Sequence, residues 1–430
     1  MQTNSDSSMG WRTILSGGQM LFVAFGSLVL VPLLTGLDPS VALFTAGLGT
    51  LIFQLTTKRS MPVFLASSFA FIAPIIYSTQ TWGTPATMGA LFCAGLVYVA
   101  LSAAVALRGP GFLHRLLPPV VTGPIIMVIG LGLAPVAVNM AMGKAGDGSV
   151  ELFPYADALM VSMPALITTL LVATLGKGIF RLVPILSGVA VGYAVAAAMG
   201  MVDYSKVTDS DWITFPAFVM PEFSLAAILF MIPVAIAPAI EHVGDVLAIG
   251  SVTGKNYVQK PGLHRTLLGD GLATSAASLF GGPPNTTYSE VTGAVMLTRA
   301  FNPVVMTWAA VFAIALAFIA KIGGILQTIP APVMGGIMVL LFGSIACVGM
   351  NIIVKGKVDL SAQRNLVIVA TTLVFGIGGM AIGGGGWDLK GVSLCAPVAI
   401  LLNLILPHAD PVNDLHEEQG MVDDFIDHSR

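Results

Sequence analysis

"PPNTTYSEVTGAV" (residues 283–295) opens on two prolines, crosses a run of hydroxyl side chains to an aromatic ring, and then carries a carboxylate at Glu290. Paired prolines cannot sit inside a continuous helix, yet the segment lies where an apolar chain is due to cross a bilayer. "MPVFLASSFAFIAP" (61–74) has the same order of features: Pro62, then Ser67 and Ser68, then Phe69. Each is too short to cross as an ordinary helix. One such cluster reads as a kink that neighbouring helices fill. Two in corresponding positions of the chain point to paired interrupted helices, the best sequence mark of a transporter site near the bilayer midplane.

The rest of the chain supplies the membrane setting. It has 430 residues, 56% hydrophobic and only 10% charged, with a mean hydropathy of +0.89. A soluble chain would carry about a quarter charged residues. Its apolar runs approach span length and are separated by short loops, which predicts a polytopic, all-α membrane protein. Residues 1–13 are polar and the first apolar run, about 14–36, is too long for the apolar core of a cleaved signal peptide. Cys93, Cys347 and Cys395 all fall in apolar runs and read as small buried hydrophobes, with no disulfide framework or metal site. A net charge of −3 excludes a general nucleic-acid binder. Residues 408–430 read as a solvated acidic tail.

Fourteen candidate spans begin near Ile14, Val41, Pro62, Ala86, Pro118, Ala156, Leu182, Ser224, Leu263, Asn285, Pro303, Pro330, Gln363 and Leu389. With the N-terminus inside, the cytoplasmic side holds fifteen Lys and Arg residues and the opposite side only Lys144, Lys206, Lys321 and Lys390. That bias puts both termini in the cytoplasm. "PPVVTGPIIMVIGLGLAPVAVN" (118–139) resembles "APVMGGIMVLLFGSIACVGMN" (331–351), about half a chain later. Seven spans per half is odd, so the halves are expected to be inverted repeats.

Four acids fall in predicted membrane segments: Glu241, Asp245, Asp270 and Glu290. A carboxylate at a helix centre costs about 2.5–3.5 kcal/mol on insertion scales, and no Lys or Arg is embedded nearby as a standing partner. Such acids are expected to hold a proton for part of a cycle, as a proton-coupled transporter requires. In "AIEHVGDVLAIG" (239–250), Glu241 and Asp245 are four residues apart and share a helix face. His242 points about 100° away and reads as a helix-packing hydrogen bonder. Asp270 reads equally as a supporting hydrogen bonder or a direct participant. Phe69 and Tyr288, beside broken backbone, are placed to stack on a ligand.

"EHVGD" (241–245) together with "PNTTYSEVTGAVMLTR" (284–299) resembles the nucleobase–ascorbate transporter family, and within it the bacterial uracil:proton symporters. The signature residues are Glu290, Gly293, Thr298 and Arg299; "FGSLVLVPLL" (25–34), "SSFAFIAP" (67–74), "PGLHRTLLGDGL" (261–272) and "PVMGGI" (332–337) also fit. The resemblance implies fourteen spans as two inverted seven-span repeats, with short strands at broken spans three and ten. It implies a core domain (1–108 and 224–326), a gate domain (109–223 and 327–407), a homodimer and elevator-like alternation. It also implies residue roles. Glu241 and Glu290 match substrate-binding carboxylates, Phe69 and Ser289 backbone contacts to the base, and Tyr288 and Ser27 pocket lining. Asp245 joins them, with Ser68 and Asp270 in support, and Glu241, Asp245 and Glu290 carry the coupled proton. The chain departs from the family pattern at Asp245, where uracil symporters carry His and purine transporters often Asp. It also departs at Val291 in place of Asn, at Met20 in place of His, and at Ser289 in place of Gly. Glu290 favours uracil, because purine-type members often carry Gln there.

The function this implies is proton-coupled uptake of a nucleobase, uracil first, across the inner membrane, without a cofactor or metal. Xanthine or another purine is the alternative. An anion transporter of the same fold would want positive charge or unopposed helix N-termini at the site, against which the carboxylates argue. An intramembrane aspartyl protease would want Gly-x-Gly-Asp, and Leu267 stands at the first glycine.

Overall fold

The computed structural model describes residues 10–109, 111–178, 180–384 and 387–407, and they are mostly helical. The chain begins with α1 (Trp11–Thr35) and α2 (Pro39–Thr56), breaks at a short strand β1 (Leu65–Ser67), and resumes as α3 (Ile72–Trp82) and α4 (Thr84–Arg108). Next come α5 (Gly111–Leu116), α6 (Pro119–Ala141), α7 (Tyr155–Leu175), α8 (Pro184–Ala198) and the single turn α9 (Ser205–Thr208). The second half runs through α10 (Leu225–Met231), α11 (Ile236–Thr253) and α12 (Leu263–Leu279) to a strand β2 (Asn285–Thr287) and then α13 (Ser289–Thr298). It closes with α14 (Val304–Ala317), α15 (Ala320–Gln327), α16 (Ala331–Lys355) and α17 (Gln363–Ile377). A hairpin of β3 (Ala381–Gly384) and β4 (Trp387–Lys390) then leads to α18 (Val392–Ile405).

Among the described residues, seven helical stretches are long and apolar enough to cross a membrane: α1, α2, α4, α6, α7, α10 with α11, and α16. The pair α14–α15, bent by 83°, makes an eighth if it counts as one span. The fourteen expected spans are therefore not fourteen full-length helices. Several fall on short apolar helices (α8, α17, α18) or on broken elements, because Pro and Gly interrupt runs that hydropathy alone reads as continuous.

The two broken segments meet. β1 and β2 pair antiparallel, Leu65 opposite Thr287, Ala66 opposite Thr286 and Ser67 opposite Asn285, with all six residues buried. The Ser68 N–H extends the ladder to the Pro284 carbonyl at 3.0 Å. An apolar interior leaves no water for the outward backbone groups of a two-stranded ladder, and side chains of flanking helices supply the partners. The Leu65 N–H donates to Thr50 Oγ1 at 2.9 Å on α2, and Thr274 on α12 donates its hydroxyl to the Asn285 carbonyl at 2.8 Å. The Asn285 side-chain amide donates to the Thr45 carbonyl at 2.8 Å. Gly49 lets α2 come this near, since a Cβ there would lie 2.9 Å from Asn285 Nδ2. Because the strands are antiparallel, α3 and α13 leave from opposite ends of the ladder.

Packing sorts the helices into two groups. In one, α12 lies against α2 and α4, α14 against α1 and α2, α10 against α4 and α11 against α13. In the other, α6 lies along α16, α7 and α8 pack on α16, and α17 and α18 on α6. Each half of the chain supplies helices to both groups. Small residues set the spacing: a Cβ on Gly130 of α6 would come within 2.6 Å of the Ala346 nitrogen of α16. The groups touch where α1 meets α8, α6 and α18 meet α11, α18 meets the turn at 233–235 and β4 meets α10, and one apolar cluster runs through both.

One sequence expectation is corrected here. Cys395 is buried, but Cys93 is half-buried and Cys347 is exposed. An apolar run does not tell which face of its helix looks outward, and α16 turns Cys347 away from its partners. The expected acidic tail, 408–430, lies outside the described residues.

Candidate functional site

The side chains that the sequence singled out converge on the strand pair. α11 carries Glu241 and Asp245, α12 carries Asp270, and Glu290 occupies the first turn of α13, directly after β2. Glu241 lies within electrostatic reach of Asp245, Glu290 and Asp270. The four acids grade in access: Glu290 is exposed and Glu241 half-buried, whereas Asp245 and Asp270 are buried. The first two thus face open space and the last two lie behind them.

The buried layer is a connected chain of polar contacts. Thr287, at the end of β2, donates its hydroxyl to Asp245 Oδ2 at 2.8 Å. Its oxygen also lies 3.4 Å from His242 Nδ1, and that nitrogen is 3.3 Å from Asp270 Oδ2. Thr287 has one hydroxyl hydrogen and gives it to Asp245, so toward His242 it can only accept. An Nδ1 hydrogen on His242 therefore faces both Thr287 and Asp270. His242 is fully buried, with Phe53 edge-on at 6.3 Å. It packs α11 against α12, as expected, but through a carboxylate. Tyr98 on α4 places a buried hydroxyl within electrostatic reach of Asp270 and Glu241.

The aromatic and backbone parts of the site lie around the ladder ends. Phe69 and Tyr288 have ring centroids 6.3 Å apart, inclined at 46°. Phe69 opens the turn that precedes α3, and Ser289 opens α13, so unpaired backbone N–H groups of two helix starts sit near both rings. The Tyr288 side chain lies against Ser27 and Glu290. Ser27 is buried and gives its hydrogen to the Ala24 carbonyl at 3.2 Å. Ser68 is buried and acts through its backbone bond to Pro284.

The structure thus brings Glu241, Glu290, Asp245, Asp270, Phe69, Tyr288, Ser27 and the Ser289 backbone to one place. Sequence reasoning passed over Thr287, Tyr98 and the pairing of His242 with Asp270. Thr287 stood inside a motif already quoted, and period-two alternation along a strand would have turned it away from Thr286. Tyr98 is a lone phenol in an apolar helix, for which the sequence holds no partner signal.

Two half-helices that start at a buried strand pair, with carboxylates and aromatic rings between them, define a membrane transporter for a small polar solute. The chain belongs to the permease family, whose profile matches residues 12–384, and this is the nucleobase–ascorbate transporter family that its motifs resemble. A probable uracil permease of Pasteurella multocida (strain Pm70) is 60% identical over 393 residues, covering 91% of this chain and 93% of that protein. The uracil permease of Bacillus caldolyticus is 46% identical over 396 residues, covering 90% of each. That of Escherichia coli (strain K12) is 37% identical over 394 residues, covering 92% and 91%. Among solved structures, the transmembrane domain of the cyanobacterial bicarbonate transporter BicA superposes with a TM-score of 0.62 at 15% identity, covering 92% of this chain and 98% of that one. The murine anion transporter Slc26a9 in its inward-facing state gives 0.70 at 11% identity, covering 93% and 68%. These two likenesses show the fold alone.

Proposed function

We propose that the protein imports uracil together with protons across the cell (inner) membrane. The observation that carries this reading is the placement of Glu241 and Glu290 toward open space beside two helix starts and two aromatic rings. Uracil is flat and neutral, with N–H donors next to carbonyl acceptors. An ionised carboxyl accepts its N–H, a protonated one donates to its carbonyl, and free backbone N–H groups meet the remaining oxygen. Burying the base without such partners would cost several kcal/mol. The names of the uracil permeases at 46–60% identity support the same substrate.

In this reading Glu241, Glu290, Phe69, Ser289, Tyr288 and Ser27 hold the base. Asp245 closes the site from behind while bonded to Thr287. Glu241, Asp245 and Glu290 carry the proton, with Asp270 and Ser68 in support. The segments form fourteen spans in two inverted seven-span repeats, counting short and broken elements, with both termini cytoplasmic. The group containing α1–α4 and α10–α15 is the moving core (1–108 and 224–326). The group containing α6–α8 and α16–α18 is the gate (109–223 and 327–407), in a homodimer. The two separately packed groups support an elevator-like slide. The carboxylate-lined site argues against an anion as cargo, whatever the neighbours of the fold carry.

A purine such as xanthine is the second reading, favoured by Asp245, an acid where uracil symporters carry His. The test is uptake of radiolabelled uracil into proteoliposomes under an inward proton gradient, with xanthine, hypoxanthine and guanine as competitors. Uracil accumulation that a protonophore abolishes is the expected result. Saturable xanthine accumulation without uracil accumulation would move the protein to the purine branch. Asp245→His is expected to keep uracil uptake and shift its pH optimum; loss of uracil uptake in that variant would count against the uracil assignment.

A further inference from the structure

A cavity of about 260 Å³ lies between the two helix groups, away from the carboxylates. Ala70, Ala73 and Tyr77 form one wall, along the broken helix α3; Gly132 of α6 lies opposite; Phe230 of α10 and Lys390 complete it. Ala70, in its lining, is the chain neighbour of Phe69. Ala73 and Gly132 are exposed, and Gly132 has open space where a Cβ would be. Lys390, at the end of β4, reaches across and sets its ammonium 3.6 Å from the centroid of the Tyr77 ring. Tyr77 is held in place by Phe230 at 4.9 Å and Trp82 at 5.7 Å. Lys390 is held by its own backbone: its N–H donates to Ser393 Oγ at 3.0 Å, and that hydroxyl donates back to the Lys390 carbonyl at 2.7 Å. Among the described residues Lys390 makes no ion pair, so the ring face is its contact.

A cation over a ring face is a directional attraction, and Lys390, though exposed, is set on the half-buried Tyr77 ring. Here it joins α3, which belongs to one packed group, to the hairpin that leads into α18 of the other. We propose that Lys390 and Tyr77 form a clasp across the outer passage to the base site, and that the clasp must open each time one group slides past the other. The word outer rests on the orientation proposed above; the contact itself does not. A planar, carbonyl-bearing base entering the cavity meets both halves of the clasp, since its face stacks on Tyr77 and its carbonyl accepts from Lys390. Base entry and clasp opening are thereby one event.

The test uses Ala70→Cys, at a cavity position that is buried while the contact is formed, as a reporter in the full-length protein, in intact cells, with a membrane-impermeant maleimide. The wild-type chain reports the background from Cys93, Cys347 and Cys395. Lys390→Met is expected to raise the alkylation rate of the reporter about two- to fivefold, whereas Lys390→Arg and Tyr77→Phe, which keep a cation and a ring, leave it near that of the parent. Tyr77→Leu should match Lys390→Met, and the two together should add little further. Equal rates in Lys390→Met and Lys390→Arg, or full additivity of Lys390→Met with Tyr77→Leu, would overturn the clasp. The alkylation readout needs no substrate. A protein that carries a purine instead of uracil would therefore still show the clasp, and a uracil transporter without it would still accumulate uracil.

Discussion

Glu241 combines three properties: it is half-buried, it faces the open side of the site, and it interacts with three further acids. Glu241→Gln fixes it in a neutral form that cannot release a proton. The expected outcome is loss of gradient-driven accumulation to the level of empty vesicles, with insertion intact and with the rise of uptake at lower external pH flattened. Uptake of the radiolabelled base across an external pH series checks this, and accumulation with the parental pH profile would remove Glu241 from the coupling role. Thr287 is a second test at this scale. It gives Asp245 a hydrogen bond that Val, of similar shape, cannot give. A hydrogen bond to a carboxylate is worth about 1.5–3 kcal/mol, so Thr287→Val is expected to weaken base binding or transport by about tenfold or more. Thr287→Ser should keep most of both. Isothermal titration on purified protein separates binding from turnover.

At the scale of elements, the strand pair decides whether there is a site. Two three-residue strands have almost no stability of their own; they persist because α2 and α12 supply the partners that their outward backbone lacks. Asn285 is the most connected of these residues, accepting from Thr274 through its carbonyl and donating to the Thr45 carbonyl through its amide. Asn285→Ala removes the second bond, and with it a link between β2 and α2. It is expected to lower thermal stability by about 1–2 kcal/mol and to weaken base binding, since Glu290 hangs on the end of β2. Thermal unfolding in detergent with and without base measures both. Unchanged unfolding and binding would mean that the ladder is held without this side chain.

For the whole molecule, the feature that matters is the sorting of the helices into two packed groups that share an apolar seam. Within the second group α6 and α16 run so close that Gly130 has backbone of α16 where its side chain would be. Gly130→Leu is expected to destabilise by about 1–3 kcal/mol or more through overpacking, read as a lower unfolding temperature. The α4–α12 contact at Gly95 and Gly271, inside the other group, should be unaffected. Cysteine cross-linking yields at the two interfaces distinguish the outcomes. Equal loss at both would argue that the groups are one body.

The sequence by itself determined the membrane setting, the two broken segments, the four acids in apolar segments and the family. Those rest on local chemistry: apolar runs, prolines that stop helices, and a carboxylate whose desolvation demands a use. What it could not give was which helices are full spans, which way Cys347 faces, or what lies behind the acids. Asp245 looked from its spacing like a second ligand group beside Glu241. Only the fold shows it bonded to Thr287, forty-two residues on, and shows His242 meeting Asp270. Lys390 read as one of four lysines on the far side of the membrane, and only the packing of a hairpin against α10 sets it on Tyr77. The reason is the same in each case. Hydropathy and periodicity record how one segment meets its solvent, whereas a polar side chain in an apolar interior takes its role from the partner that another segment brings to it.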